Sequence, residues 1–383
     1  MMKYMLSAVS IWILLAMAAA AAGEDLTTAY QKGRITLYPD PAFAKGTDWE
    51  SLFLDRHRGI KVGPDGSIFI SNSRDHNISK FGADGKLITK FGRHGQGPGD
   101  LEFPGELSIL DGKYLVVGEY IQGRRISLFG LDGTFHKVLK TRYPPVCPKA
   151  LRDGKIAYIG LSSTLETKGD SFEMIHLNRI IIIDAPTGQE RELETIKTSP
   201  NEIKDGSVKI ACSANGDLLV GLTIRPEIEV YDPEGEKKGA VRLSIDRLPV
   251  TKKLTETYQL KMALTEGGKR TTVAYPLGDY LPYYCDLTVD SLGNILVFKM
   301  SEDPNSGPIV FQVYDQAGIF LTETELDRGG FDLKADGRNL HRLLDFTERG
   351  VFGILPLQGD ELETPRLFRV LLRTGRGGRS GCP

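Results

Sequence analysis

The sequence predicts an all-β fold, a six-bladed β-propeller of four-stranded antiparallel blades with a short helical insertion between blades 4 and 5. Three observations predict it. Four short apolar runs follow one another between Gly59 and Pro104, small turn residues separate them, and the same turns recur along the chain in fixed order. In that first stretch Ile60 and Val62 alternate with polar neighbours, and Pro64-Asp65-Gly66 makes a turn. Ile68 and Ile70 alternate next, Asn72 to Asn77 breaks the run, and Ile78 to Phe81 leads through Asp84-Gly85 to Leu87 to Phe91. Period-two alternation bounded by Asp-Gly pairs marks antiparallel hairpins. Four strands in about forty residues is the size of one blade.

The pattern continues. A turn of the form aromatic-x-x-x-Gly, placed between third and fourth strands, occurs at Phe81 to Gly85, Phe129 to Gly133, Tyr231 to Gly235 and Tyr314 to Gly318; a variant one residue longer runs from Ile183 to Gly188. The turn between first and second strands recurs as Asp65-Gly66, Asp111-Gly112, Asp153-Gly154, Asn215-Gly216 and Leu292-Gly293, each followed by an apolar run. Gly66, Gly85 and Gly133 are expected at positive φ. At the C-terminal end Leu340 to Phe346, Val351 to Leu355 and Leu367 to Leu372 supply three strands, and Arg34 to Tyr38 near the N-terminus is the spare strand that completes the unit. Such closure removes an open sheet edge. The propeller is therefore placed over residues 30–373, with its insertion at 246–284 and a disordered Gly/Arg tail at 374–383.

The most regular unit resembles an NHL repeat. The matching residues are Val62-x-x-Asp65-Gly66, the run Ile68 to Ser71, and Phe91-Gly92-x-x-Gly95-x-Gly97-x-Gly99 leading to Phe103-Pro104. The resemblance implies a six-bladed propeller and a class in which many members are scaffolds for protein or other ligands.

Met1 to about Ala22 carries Lys3, an apolar run and an alanine tract, the layout of a secretory signal peptide over residues 1–22. The alternative is an uncleaved N-terminal membrane anchor. A periplasmic or secreted monomer with no membrane span after cleavage is expected. The net charge of −2 offers no case for nucleic acid. Cys147, Cys212, Cys285 and Cys382 show no CxxC spacing and read as thiols, the first three falling in or just before first strands that line a central channel. His57, His76, His94, His136, His176 and His341 are scattered without HxH or HExxH. No cofactor is expected; calcium or zinc is the alternative, with ligands drawn from separate loops. Asp75, Glu119 and Asp290 are candidate channel carboxylates. Arg93-His94-Gly95-Gln96-Gly97 lacks the Gly-Lys-Ser/Thr ending of a phosphate loop. No nucleophile-and-base pair can be read off.

Strands alternate in direction, so loops after second strands and between units share one face. The long loops Gly92 to Pro104, Ser162 to Leu177, Asp246 to Tyr284 and Ser301 to Gly307 all fall there. In the longest, Leu254, Tyr258 and Met262 recur at helical spacing. The candidate binding residues on this face are Arg93, His94, His176, Tyr275, Tyr280, Tyr283 and Tyr284. Tyrosine and arginine favour interfaces. The function read from this is binding of a protein, small-molecule or glycan ligand in the cell envelope. The alternative is a metal-dependent lyase or lactonase-like hydrolase with its site at the channel mouth.

Overall fold

The Asp-Gly signals become hairpins because the aspartate ties its own turn. In the computed structural model Asp65 Oδ1 accepts the Ser67 N–H at 2.9 Å and the Ser67 hydroxyl at 2.6 Å. Asp84 Oδ1 likewise accepts Lys86 N–H at 3.1 Å, and Asp315 Oδ1 accepts Ile319 N–H at 2.8 Å. Such side-chain bonds replace backbone ladder bonds at a chain reversal. Gly66, Gly85 and Gly133 have φ of 86°, 80° and 93°, where a side chain is strained. The structure describes residues 26–40, 42–45, 47, 57–119, 124–168, 171–199, 202–258, 261–266, 269–274, 277–303, 307–329, 331, 344–348, 350–355 and 366–374.

Strand Arg34–Pro39 (β1) comes first, and four-stranded antiparallel sheets follow in chain order. They are His57–Val62, Ile68–Asn72, Asn77–Phe81 and Leu87–Phe91 (β2 to β5); then Pro104–Leu110, Tyr114–Glu119, Arg125–Gly130 and Phe135–Lys140 (β6 to β9). Next come Pro145–Ala150, Lys155–Lys168, Ser171–Asp184 and Glu190–Thr198 (β10 to β13), then Val208–Cys212, Leu218–Leu222, Glu227–Tyr231 and Lys237–Arg242 (β14 to β17). Lys261–Glu266 and Lys269–Ala274 (β18 and β19) pair as a separate hairpin. Tyr284–Val289, Ile295–Lys299, Ile309–Tyr314 and Phe320–Asp327 (β20 to β23) share one eight-stranded sheet with Leu344–Thr347, Gly350–Leu355 and Arg366–Thr374 (β24 to β26). Its order is β20-β21-β22-β23-β1-β26-β25-β24. β1 runs antiparallel to β26 from Ile35↔Thr374 to Pro39↔Val370, and parallel to β23 from Arg34↔Glu325 to Thr36↔Asp327. The fusion of two four-stranded sets through β1 is a feature the repeat pattern does not contain.

Burial follows position in the sheet. Second strands such as β3 and β15 are buried at every residue, whereas the outer strand β5 is mostly exposed. Consecutive sheets therefore pack face to face. Phe69 and Ile78 meet Leu115 and Phe129, Val116 and Leu128 meet Tyr158 and Ile181, and Ile180 and Ile182 meet Leu218 and Val220. Leu219 and Ile228 then meet Leu287 and Val297, Phe298 and Phe311 meet Phe346 and Val351, and Phe352, Ile354 and Leu367 return to Ile60, Ile68 and Ile70. The core is a ring of interfaces. At its centre, residues of β2, β6, β10, β14, β20 and β24 line a cavity of about 150 Å³.

Three expectations are corrected here. Ser162 to Leu177 is not a loop: β11 and β12 extend as a hairpin through Lys168↔Ser171, because alternation continues unbroken past the end of β10. The helical spacing ending at Met262 holds only over Lys252–Tyr258; Met262 lies in β18, opposite Val273. Thr374, expected in the tail, is the last residue of β26 and pairs with Ile35. Residues 1–22, the remaining tail and Cys382 lie outside the described residues. Among the described residues no helix is long and apolar enough to cross a membrane.

The turns allow a direct test of packing against strain. A Cβ on Gly85 would fall 2.6 Å from both the Ala44 Cβ and the Phe43 ring, whereas one on Gly188 (φ 75°) meets nothing within 4 Å. Gly188→Ala is expected to cost about 1 kcal/mol from the left-handed conformation alone. Gly85→Ala is expected to cost about 2–4 kcal/mol, adding the displacement of Phe43. Chemical denaturation of both variants reads the difference; equal losses would remove Phe43 and Ala44 from this contact.

Candidate functional site

The links between sheets and the turns after second strands come together on one face, as alternation of strand direction requires. Two clusters of candidate residues form there, each with its own partners.

The first is the link from Gly92 to Phe103. His94 and Leu101 bridge, and Arg93 Nε donates to Asp100 Oδ1 at 2.8 Å while its side chain stays 85% exposed. Beneath the link lies Arg125, whose buried guanidinium donates to the carbonyls of Gly95 at 2.8 Å and Gln96 at 3.3 Å. Its counter-charge is Glu119, fully buried, with Oε2 2.8 Å from Arg125 Nε. Glu119 Oε2 also accepts the Glu102 N–H at 2.7 Å, and Oε1 accepts the Ser127 hydroxyl at 2.6 Å. A buried pair survives when its remaining lone pairs and protons are also satisfied. Glu119 is thus a brace for the link, and it does not line the central cavity. His76 Nδ1 accepts the Phe103 N–H at 3.1 Å, which places its proton on Nε2, and its ring centroid lies 4.4 Å from that of His94. Burial, then repulsion from His94, holds His76 below the ordinary histidine range and keeps it neutral near pH 7.

The second cluster is a cleft of about 420 Å³ between the insertion and the turn after β21. Leu248, Pro282, Tyr283, Met300, Pro308 and Val310 form its apolar wall, with Asp246, Arg247, Lys299, Glu302 and Asp303 among its charged groups. Arg247 decides its shape. Its guanidinium carbon lies 5.4 Å from the ring centroids of both Tyr280 and Tyr283. Its Nε donates to the Leu281 carbonyl at 2.7 Å and its Nη2 to the Tyr280 carbonyl at 3.0 Å. Cation–π attraction and two charge-assisted bonds hold both tyrosines in place. Tyr280 remains 48% exposed, an aromatic ring presented to solvent on a fixed support.

The expected residues therefore separate. Arg93 and His94 belong to the first cluster and Tyr280 and Tyr283 to the second. Tyr284 does not share the surface. It is the first residue of β20 and is fully buried in the core beside Leu219 and Leu287, whereas Tyr283, just before the strand, is only partly buried. His176 lies on β12 with Nδ1 2.8 Å from Ser163 Oγ, so it belongs to the extended hairpin rather than to a loop. Tyr275 lies outside the described residues. Asp75 accepts from Asn72 Nδ2 at 3.1 Å in its turn. Asp290 Oδ2 accepts the Tyr30 hydroxyl at 3.1 Å, under the N-terminal segment. His136 stacks on Tyr114 at 4.4 Å. Among the described residues no three His, Cys, Asp or Glu side chains are grouped to hold a metal ion. Arg247 escaped sequence reading because it stands 33 residues from the tyrosine it supports, with no local motif around it.

No protein-family model and no curated protein sequence matches the chain. Solved structures do resemble it. One, a protein from Bacteroides fragilis described as exported, is 12% identical, with 92% of this chain and 97% of that one covered at a TM-score of 0.49. Virginiamycin B lyase from Staphylococcus aureus is 15% identical over 84% of this chain and 96% of its own, at 0.43. A gluconolactonase from Xanthomonas campestris is 13% identical over 84% and 89%, at 0.42. The sheets, packed in sequence around one cavity, speak for themselves. The architecture is a β-propeller.

Proposed function

We propose that this β-propeller is an exported, six-bladed, NHL-like binding module that takes a protein or small ligand of the cell envelope on its long-loop face. In this reading the eight-stranded sheet is two blades joined through β1, and the calcium- or zinc-dependent lyase or lactonase is the rival. The observation that carries the proposal is Arg247 fixed between Tyr280 and Tyr283 at the edge of the apolar cleft. Rings and guanidinium are ordered before any ligand arrives, so little side-chain entropy is lost on binding. Aromatic and arginine anchors of this kind dominate interface energetics.

The test is capture of the native ligand from the source cell's envelope by the mature protein. Tyr280→Ala and Arg247→Ala are expected to weaken capture by about tenfold or more with the fold retained. Lys86→Ala and Glu236→Ala, in the short turns of the opposite face, are expected to leave it intact. The reverse outcome would show that the wrong face was assigned. Zinc or calcium held stoichiometrically by the purified protein, with no captured ligand, would favour the rival.

A further inference from the structure

The central cavity is separate from the cleft at Arg247, and its wall is polar. Lys61, Ser108, Lys149, Cys212, Thr288 and Asp345 all line it. Several of these groups are committed to one another. Lys61 Nζ lies 2.9 Å from Asp345 Oδ1, Asp345 Oδ2 accepts the Val62 N–H at 2.8 Å, and Ser108 Oγ accepts the Ala150 N–H at 3.0 Å. Lys149 differs: it is half-buried on β10, and no described carboxylate pairs with it. It ends a β-bulge, where the β10–β11 register shifts between Val146 and Lys149 and Cys147 adopts a φ of 52°. A bulge of this kind re-aims the side chain that follows it.

Two ammonium groups thus share the cavity with one carboxylate, leaving one positive charge uncompensated in a partly desolvated space. Charge there draws a counter-ion more strongly than it would at the surface. At about 150 Å³ the cavity has room for a tetrahedral oxyanion and is too small for a drug-sized ligand. The Cys212 thiol reports the same field. Burial pushes it up to about 11; Lys149 and then Lys61 act against that rise, while Asp217, itself paired with Lys238 at 2.6 Å and Arg152 at 3.7 Å, adds to it, so both ammonium groups lie within electrostatic reach of this sulfur.

We propose that the central cavity binds a small oxyanion, a phosphate, sulfate or short carboxylate, with Lys149 as its counter-charge and Lys61 and the Thr288 hydroxyl as further donors. The site is independent of the long-loop face, so the two readings stand or fall separately.

Titration calorimetry of the mature protein with inorganic phosphate, sulfate and succinate, at constant ionic strength, tests it. Saturable binding of at least one anion below about 10 mM is expected, weakened at least about tenfold in Lys149→Gln and kept in Lys149→Arg. Tighter phosphate or sulfate identifies an inorganic or phosphoryl ligand, and tighter succinate a carboxylate. Tyr280→Ala is expected to bind the anion as the wild type does. In the wild-type protein, which needs no variant to fold, the bound anion is expected to slow iodoacetamide alkylation of Cys212. No saturable binding by any of the three, binding unchanged in Lys149→Gln, or alkylation unaffected by a saturating anion would each overturn the proposal.

Discussion

Deleting Tyr30 through Asp40 is expected to lower the thermal unfolding midpoint by about 10 °C or more, or to abolish the cooperative transition. This segment contributes β1, the strand bonded to β26 on one side and to β23 on the other. Without it both partners present open edges. Ile35 and Leu37 are fully buried and Tyr30 nearly so. At about 2 kcal/mol for each such side chain their burial is worth roughly 6 kcal/mol as an upper figure, against a net stability of about 5–15 kcal/mol. The Tyr30 hydroxyl on Asp290 and the Arg369 guanidinium on Asp40 are lost as well. Differential scanning calorimetry of the protein with and without the segment decides the matter. An unchanged transition would mean that β1 is not what closes the ring.

Glu119→Ala is expected to cost about 3–5 kcal/mol, the second large effect. The substitution leaves Arg125 as an uncompensated buried charge and removes the acceptor for the Glu102 N–H and the Ser127 hydroxyl. Because Arg125 also holds the carbonyls of Gly95 and Gln96, the link Gly92 to Phe103 should become protease-sensitive along with the loss of stability. Pairing Glu119→Leu with Arg125→Met is expected to cost less than the sum of the two single changes, since the stranded charge is then gone. A cost below about 1 kcal/mol for Glu119→Ala, read by urea denaturation, would show that the pair braces nothing.

Both predictions concern residues that the sequence treats unequally. Arg34 to Tyr38 could be picked out as a spare strand because it alternates and because the last unit is one strand short. Its parallel bond to β23 had no sequence signal: that pairing depends on where two distant sheets finish. Glu119 was legible as a carboxylate near the end of an apolar run, but its role was not. Glu119 and Arg125 are six residues apart and face each other across the β7–β8 pair. Nothing local distinguishes a brace from a channel ligand. Tyr283 and Tyr284 are adjacent in the chain, yet the second starts β20 and sinks into the core while the first stays partly exposed ahead of the strand; no local pattern marks where the strand begins. The extended β11–β12 hairpin was missed for a related reason: its polar alternation resembles that of a loop when no partner strand is assumed.

What the sequence determined by itself is the repeat: four short strands, turns tied by aspartate and glycine, and long links gathered on one face. These are contacts between residues a few positions apart, where backbone strain at positive φ and the period of two act directly. The tertiary structure decided the parallel bond between β1 and β23, how Arg247 locks Tyr280 and Tyr283, and how Lys61, Lys149 and Cys212 come to share one cavity. Those groups meet only once the sheets have packed in a circle, through buried apolar faces that leave few clues at any one position in the chain.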